Sequence, residues 1–508
     1  MEVTAMRALS TCAALVISMS CEQSTGGVSR SEPASDSPGA ARVVGTPTHA
    51  SRVPVPPSPA PTPTPALHGI AQVAYIKASR TEAGADLGSS MALFEDTLVV
   101  GARAEDGAAT GAGGDHAGDS KQDSGAVYVF RGAGSSWTQE ARLQPSNLDA
   151  GEHFGGSVAL FGDTLAVGAV SKDQSRGAVY VFRRTGSSWT QEAYLEASHR
   201  DAGDLFGLQV ALSGDLLAVS APGEASTATG VNGDQTSNGA AWSGAVYIFR
   251  HTGSSWAPEA YIKASNASSQ DRFGYGLALS GDTLAVGAHW EGSAARGING
   301  DQNNDDAPVS GAVYVFRRTS ASWVQEAYIK ASNADVRHFF GLKVALSGDT
   351  LAVGAHTERS NTRGASGAAY VFRRTGSSWA QEAYLKASNT DRREYFFGMQ
   401  VALAGDRLAV GAWNDSSAAT GVVGKQANSI ARRTGAVYMF RRAGSSWTET
   451  AYIEASNTAA GDLFGDEIAL SPGTLAVSAP SEDSAATGVN GDQNDDSATD
   501  SGAVYLFE

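Results

Sequence analysis

The sequence predicts an all-β fold, a seven-bladed β-propeller of four-stranded antiparallel blades closed by a strand from the N-terminal side. Three observations carry this. The segment GAVYVF, or a close variant, starts at Gly125, Gly177, Gly244, Gly311, Gly367, Gly435 and Gly502. Each copy is preceded by a run such as GDTLAVGA (residues 162–169 and 281–288), and six are followed by one such as TGSSWTQEAYLKAS. The chain stops at Phe507-Glu508, directly after the seventh GAVYVF-type segment, while an extra Ala74-Tyr75-Ile76-Lys77-Ala78-Ser79 stands ahead of the first repeat. Self-similarity at about 52 to 67 residues with several short strands per unit is the pattern of propeller blades.

Each repeat reads as four strands, A to D. VALSG (residues 210–214) alternates, TLAVGA is a short apolar run, GAVYVF is β-branched and aromatic, and WTQEAYL alternates again. Runs of this length and composition between Gly, Asp, Asn and Ser are strands. Ser-Gly-Asp joins A to B and Thr-Gly-Ser-Ser joins C to D, where glycine takes a positive φ cheaply. The seventh repeat lacks a D strand, and residues 74–79 copy it. The N-terminal segment therefore completes the last blade and removes the edges an open array would expose.

The elements in order resemble the FG-GAP repeat of integrin α-subunit heads and their bacterial relatives. Phe-Gly recurs before strand A at Phe154, Phe206, Phe273, Phe340, Phe397 and Phe464, with Leu87-Gly88 in the first repeat. Strand B ends in Gly-Ala or in Ser-Ala-Pro, as at Ser220-Ala221-Pro222 and Ser478-Ala479-Pro480. The resemblance spans about residues 70 to 508 and implies a seven-bladed propeller used in adhesion and in protein or glycan binding. Integrin-type repeats often carry a calcium loop between A and B. The A–B turn here is too short to supply the six to eight oxygens calcium takes.

Composition narrows the role. A formal charge of −16 argues against nucleic acid or an anionic membrane as the main partner. Cys12 and Cys21 are the only cysteines, so the propeller holds no internal disulfide. Residues 1–21 read as an export signal: Arg7 precedes an apolar run too short to span a bilayer. Cys21 resembles a bacterial lipoprotein acceptor, although Ser18 stands where such boxes usually have Leu, and Ser18 and Ser20 equally suit ordinary signal cleavage. Residues 22–69 are a Pro- and Ser-rich tether, with a semi-rigid polyproline half. Residues 70–508 are the propeller head. The expected location is extracytoplasmic, as an outer-membrane or cell-surface lipoprotein or as a secreted protein. Membrane contact would run only through the lipid anchor, and the head would be a monomer.

Topology puts A–B and C–D turns on one rim and B–C and D–A loops on the other. The first rim carries Arg183-Arg184, Arg317-Arg318, Arg373-Arg374 and Arg441-Arg442 beside Asp215, Asp282 and Asp349. These read either as solvated Arg–Asp pairs or as an anion-binding ring. Among the long loops, Asp301, Asn303 and Asp305, and likewise Asp492, Asn494 and Asp496, alternate hard oxygens as calcium prefers. Both lack the Gly and Glu that complete a strong site, and turn formation explains the same residues. No other cofactor is implied.

Two positions per repeat diverge while the framework repeats. After strand B stand Arg103, Val170, Pro222, His289, His356, Trp413 and Pro480. Two residues before the strand A alanine stand Ser90, Ser157, Gln209, Gly276, Lys343, Gln400 and Glu467. Arg103, His289, His356, Trp413, Gln209, Lys343, Gln400 and Glu467 are thus candidate ligand contacts, and drift on a repeated scaffold gives the same pattern. The chain has no HExxH, no G-x-S-x-G and no phosphate loop. Its six repeated D-strand tryptophans are read as packing. The expected function is a non-catalytic propeller binding an extracellular protein or glycan through its long-loop rim. The alternatives are a structural envelope lipoprotein without a specific ligand and a glycan lyase or hydrolase on a propeller scaffold.

Overall fold

A computed structural model describes residues 69–107, 121–145, 147–320, 322–359, 366–388, 396–423 and 432–508. Cys21, the leader and nearly all of the tether lie outside the described residues. The fold belongs to the second of two compact units, Leu67–Glu508.

Seven antiparallel sheets each order their strands A-B-C-D, and in blade 6 Val422–Val423 adds a fifth, outside strand D. Blade 3 is typical: A is Val210–Ser213, B Leu216–Ala221, C Ala245–His251 and D Trp256–Ile262. The A strands touch their neighbours in cyclic order and so form the inner wall. Among the described residues the helical content is one short turn, Lys172–Ser175, in which three residues have positive φ.

Blade 7 is built from both ends of the sequence. Its A, B and C strands are Ile468–Leu470, Leu475–Ala479 and Ala503–Phe507, and its D strand is Gln72–Ile76. Tyr75 pairs with Tyr505 and Ile76 with Val504. The expected closure is therefore seen, with the paired strand two residues earlier than the copied motif.

Apolar packing lies between blades. Strand B is buried along its whole length, except at Arg407 in blade 6, and strand C nearly so, because both faces of each sheet meet a neighbour. One core cluster joins blades 2 and 3, another blades 4 and 5, and another blades 7 and 1. Phe-Gly fastens these layers. Phe340 is fully buried, in edge-to-face contact with Tyr370 (5.3 Å between ring centroids) and Phe372 (6.1 Å) on strand C of its own blade. Gly341 follows at φ 91°, where a Cβ would lie 2.6 Å from the carbonyl oxygen of Ala312 in the preceding blade. That approach leaves no room for a side chain.

The outer edge is covered by the repeated GVNGD-type loop. Asn490 donates its N–H to the Tyr75 carbonyl (2.7 Å), and its side-chain oxygen accepts the Tyr75 N–H (2.9 Å). Asn232 does the same to Tyr261, and Asn299 to Tyr328. The motif thus caps a D-strand edge that would otherwise be a template for aggregation.

Beneath each loop lies a buried polar slot. In blade 4, Lys330 Nζ contacts Glu291 Oε2 and Ser310 Oγ, both at 2.6 Å, while the Tyr328 hydroxyl donates to Glu291 Oε1 (2.8 Å). Lys263–Glu224 (2.6 Å), Lys386–Glu358 (2.6 Å) and Lys77–Glu482 (2.8 Å) repeat this pair in blades 3, 5 and 7. Burial pulls the Lys77, Lys263 and Lys330 ammonium groups below the usual lysine range, against the opposing pull of the paired glutamates.

Deleting residues 69–78 removes strand D of blade 7 and the Lys77 partner of Glu482. Tyr75 and Ile76 alone bury side chains worth about 1.5–3 kcal/mol each, so the melting temperature should fall by roughly 10 °C. Size-exclusion chromatography should then show aggregates. A deletion variant that stays monomeric and melts with the parent would contradict closure by this strand.

Candidate functional site

Every Phe-Gly, and Leu87-Gly88 in blade 1, is preceded by a residue in the left-handed region. These are Asp86 (φ 55°), His153 (54°), Leu205 (60°), Arg272 (58°), Phe339 (53°), Phe396 (54°) and Leu463 (61°). Such a conformation costs an L-residue about 1–2 kcal/mol. Its source is a crossing between blades: Arg272 donates its N–H to the Trp242 carbonyl (2.9 Å) and Phe339 to that of Val309 (3.1 Å). Trp242 and Val309 are themselves left-handed, at φ 59° and 60°. The repeat imposes the backbone, and the side chain stays variable.

These residues interleave with those that follow strand B. In blades 4 to 6 the result is an aromatic arc on the long-loop rim. Tyr275 meets His289 at 4.6 Å between ring centroids, His289 meets Phe339 at 6.1 Å, and Phe339 meets His356 at 5.3 Å. The arc continues from His356 to Phe396 (5.7 Å) and from Phe396 to Trp413 (5.4 Å). At its other end the Arg272 guanidinium lies 4.0 Å from the Trp290 ring centroid and 5.3 Å from that of Trp242, within cation–π range. Trp242, Trp290, Phe339 and Phe396 are half-buried, whereas His289, His356 and Trp413 are buried. Neither ring nitrogen of His289 has a hydrogen-bond partner. Burial, with Arg272 and His356 nearby, holds His289 well below the usual histidine range. Burial alone pushes His356 down to about 4.

At the same positions blade 1 presents an ion pair and blade 2 a histidine that burial holds below its usual range. Arg103 pairs with Asp86 at 3.0 Å, and His153 Nδ1 lies 2.8 Å from Ser171 Oγ. Within the inner wall, Lys343 of blade 5 reaches Glu467 of blade 7 at 2.8 Å, and Gln400 of blade 6 donates to the same carboxylate. The Gln209 N–H is held by Ser220 Oγ at 3.0 Å. The candidate contacts therefore divide in two: Arg103, His289, His356 and Trp413 stand in the rim annulus, and Lys343, Gln400 and Glu467 form one network in the wall. The sequence reading missed the residue before Phe-Gly, although its five different side chains across seven repeats were a readable signal.

The D-x-N-x-D segments form Asx turns. Asp301 accepts from both the N–H and Nδ2 of Asn303 (3.0 Å each), and Asp492 accepts likewise from Asn494 (3.0 and 3.1 Å). Asp305 and Asp496 are exposed. On the opposite rim, the second arginine of each pair grips the preceding blade. Arg318 holds Glu259 (2.7 Å), which also accepts from Trp323 Nε1 (2.9 Å), and Arg442, Glu382 and Trp447 repeat the clamp. Of the first arginines, Arg441 meets the turn residue Asp406 (3.0 Å), whereas Arg183 and Arg373 donate to the Thr164 and Thr350 hydroxyls (2.7 and 2.6 Å).

Three buried carboxyls at the D–A loops set a pH response. Burial pushes Asp204 up to about 6, and Asp271 and Asp462 up to about 7. Their folded values exceed the unfolded value of about 3.9, so they stabilise when protonated and that stability is lost as pH rises through 6 to 7. Burial depresses His153, His289, His338 and His356, so below about pH 6.5 protonation of the unfolded state opposes this gain. Thermal melts from pH 5 to 9 should peak near pH 6–7. Asp271→Asn should raise the melting temperature at pH 8 by about 1–3 °C and flatten the alkaline limb. An unchanged limb in that variant would show that Asp271 is ionised in the fold.

Comparison with known proteins agrees with this architecture. The FG-GAP repeat model matches residues 70–130, 137–182, 189–249, 256–316, 323–372, 379–440 and 447–507. Each match begins at or near a D strand and ends in the next C strand, the offset that leaves the N-terminal strand to complete blade 7. No curated protein matches the chain. A chain of a crystal structure titled as a mitotic checkpoint complex overlays with a TM-score of 0.41 at 12% identity, over 90% of this chain and 98% of that one. Seven matched repeats covering most of the sequence make this chain a member of the FG-GAP repeat family.

Proposed function

We propose that the protein is a non-catalytic binding propeller, exported from the cytoplasm, that recognises an extracellular protein or glycan through its long-loop rim. An FG-GAP propeller fits binding or adhesion in general. The observation that supports this finer reading is the aromatic arc from Trp290 to Trp413. Half-buried aromatic faces beside a guanidinium are the composition of recognition surfaces, where rigid rings add area at low entropic cost. The sequence supports display on an envelope, through an export signal, a tether and then a head.

Two experiments test this reading. The mature chain applied to glycan and protein arrays should bind a restricted ligand set. Trp290→Ala and Phe396→Ala should each weaken binding at least about tenfold, the size of one hot-spot contact. Arg441→Ala on the opposite rim should leave binding intact. No ligand at all, or equal binding by the rim variants, would overturn the assignment. For display, the wild type should incorporate a clickable fatty acid, and Cys21→Ala should move the protein from the membrane to the soluble fraction. A wild type without label, cleaved as an ordinary secreted protein, would replace the anchor with secretion.

A further inference from the structure

The aromatic arc crosses a rim whose charge changes sign from blade to blade. In blades 5 and 6 the D–A and B–C loops are residues 331–340, 356–366, 387–397 and 413–434, and they hold eight basic and five acidic residues. The matching loops of blades 3 and 4 are residues 197–206, 222–243, 264–273 and 289–310, with three basic and nine acidic. Those of blade 7, residues 455–464 and 480–501, hold seven acidic and none basic. One sector of the rim is therefore positive in a chain of formal charge −16. The count includes positions outside the described residues, where Arg363, Arg392, Arg393 and Lys425 outnumber Asp391 and Glu394.

Three described arginines of this sector stand open to solvent. Arg337, Arg432 and Arg433 are exposed, and among the described residues no carboxylate lies within ion-pair distance of any of them. On the opposite rim, by contrast, Arg184, Arg318 and Arg442 are each held by a glutamate of the preceding blade. Arg337 stands two residues before Phe339 of the arc, in the left-handed region at φ 60°. Blades 1, 2, 3 and 7 place Gly84, Gly151, Gly203 and Gly461 at this position, all at positive φ. Each glycine donates its N–H across the seam, as Arg337 does to the Pro308 carbonyl (3.0 Å). Glycine makes this crossing without strain, whereas an L-residue is penalised there. The crossing thus does not call for arginine, and a strained residue with an exposed, unpaired charge marks a binding position. Beyond Trp413, Arg433 is left-handed as well, at φ 58°, and its carbonyl accepts the Leu463 N–H (3.2 Å).

We propose that the rim over blades 5 and 6 binds an anionic saccharide, one that carries carboxylate or sulfate groups. This rests on the binding-propeller reading and names the ligand class of the same rim. Phe339 and Phe396 present half-buried rings that the C–H face of a sugar can cover. The arginines beside them supply planar donor forks that match carboxylate and sulfate oxygens in pairs. Ring and charge lie within two residues of each other at Arg337 and Phe339, the scale of one charged sugar unit. A protein partner would instead need a contiguous apolar centre from which charge is depleted. The acidic loops of blades 3, 4 and 7 flank the sector and repel a long polyanion, so the bound stretch is short.

The test titrates the full chain with short oligosaccharides of equal length: an oligogalacturonate, a heparin oligosaccharide and a neutral malto-oligosaccharide, with poly-glutamate as the acidic peptide. One or both charged sugars should bind, more weakly as salt rises, and the two arms separate carboxylate from sulfate. The neutral sugar and poly-glutamate should not bind. Arg337→Gly should melt close to the wild type, because glycine suits that backbone, yet bind at least about tenfold more weakly. Arg432→Ser/Arg433→Ser should weaken binding by a similar factor. Arg441→Ala, which removes a positive charge from the opposite rim, should leave it unchanged. Undiminished binding by both rim variants would overturn the proposal, as would a wild type that takes the neutral sugar or poly-glutamate equally well. So would an array ligand whose binding is lost in Phe396→Ala and kept in Arg337→Gly; that result would leave the binding-propeller reading in place. A wild type that binds none of these probes and no array ligand would sink both.

Discussion

The structure depends on one constraint: no blade owns a core. Each apolar cluster is shared by two neighbouring sheets, including the one that joins Ile76 and Val504 of blade 7 to Tyr128 and Phe130 of blade 1. A single blade would expose two apolar faces, and an open row of seven would expose one at each end together with two strand edges. Only a closed ring satisfies every face. Closure must therefore be cooperative, and the strand that completes it comes from the opposite end of the sequence to its sheet partners.

That constraint leaves room for a site. Strands B and C are fixed by burial on both faces, so their sequences scarcely vary. The residue before Phe-Gly and the residue after strand B lie where strands enter and leave the wall. The backbone of the first is imposed by a crossing between left-handed segments, as at Trp242 and Arg272. Its side chain bears little of the packing load. Phenylalanine, arginine, leucine, histidine and aspartate therefore occupy equivalent places, and one side of the ring becomes aromatic while the other carries charge. A symmetric scaffold acquires an asymmetric face at its least constrained positions.

The fold was legible because strand patterns, turn residues and the displaced AYIKAS copy all encode local or strictly repeated features. The site was less legible. Arg103, His289, His356 and Trp413 could be singled out by divergence, but their interleaving with Asp86, Phe339 and Phe396 depends on how adjacent blades cross. The arginine pairs gave no sign that Glu259 or Glu382 of the preceding blade would hold the second member, because those partners lie about 60 residues away in the chain. The GVNGD loops drew attention as oxygen-rich segments, whereas Asn232, Asn299 and Asn490 serve as edge caps. The Glu–Lys slot was hidden by sequence separation, although its variation from repeat to repeat was a signal: lysine pairs with glutamate in four blades, and blade 2 reverses both.

Buried ion pairs of this kind add little stability over well-packed apolar residues, yet removing one partner costs about 3–5 kcal/mol. Their value here is positional. Side chains alternate along a strand, so a slip of one residue would turn Lys77 out of its slot and leave Glu482 buried alone. The Lys77–Glu482 contact joins the first strand of the propeller to its last B–C loop. It penalises every register of the closing strand except the one that also pairs Tyr75 with Tyr505. Apolar contacts alone would hold that strand less selectively, because Ala74 and Ile76 both face the blade 7–blade 1 core and a slip by two residues would still leave an apolar side chain there. The ring is driven shut by shared apolar faces, and the charge pair fixes the register in which it shuts.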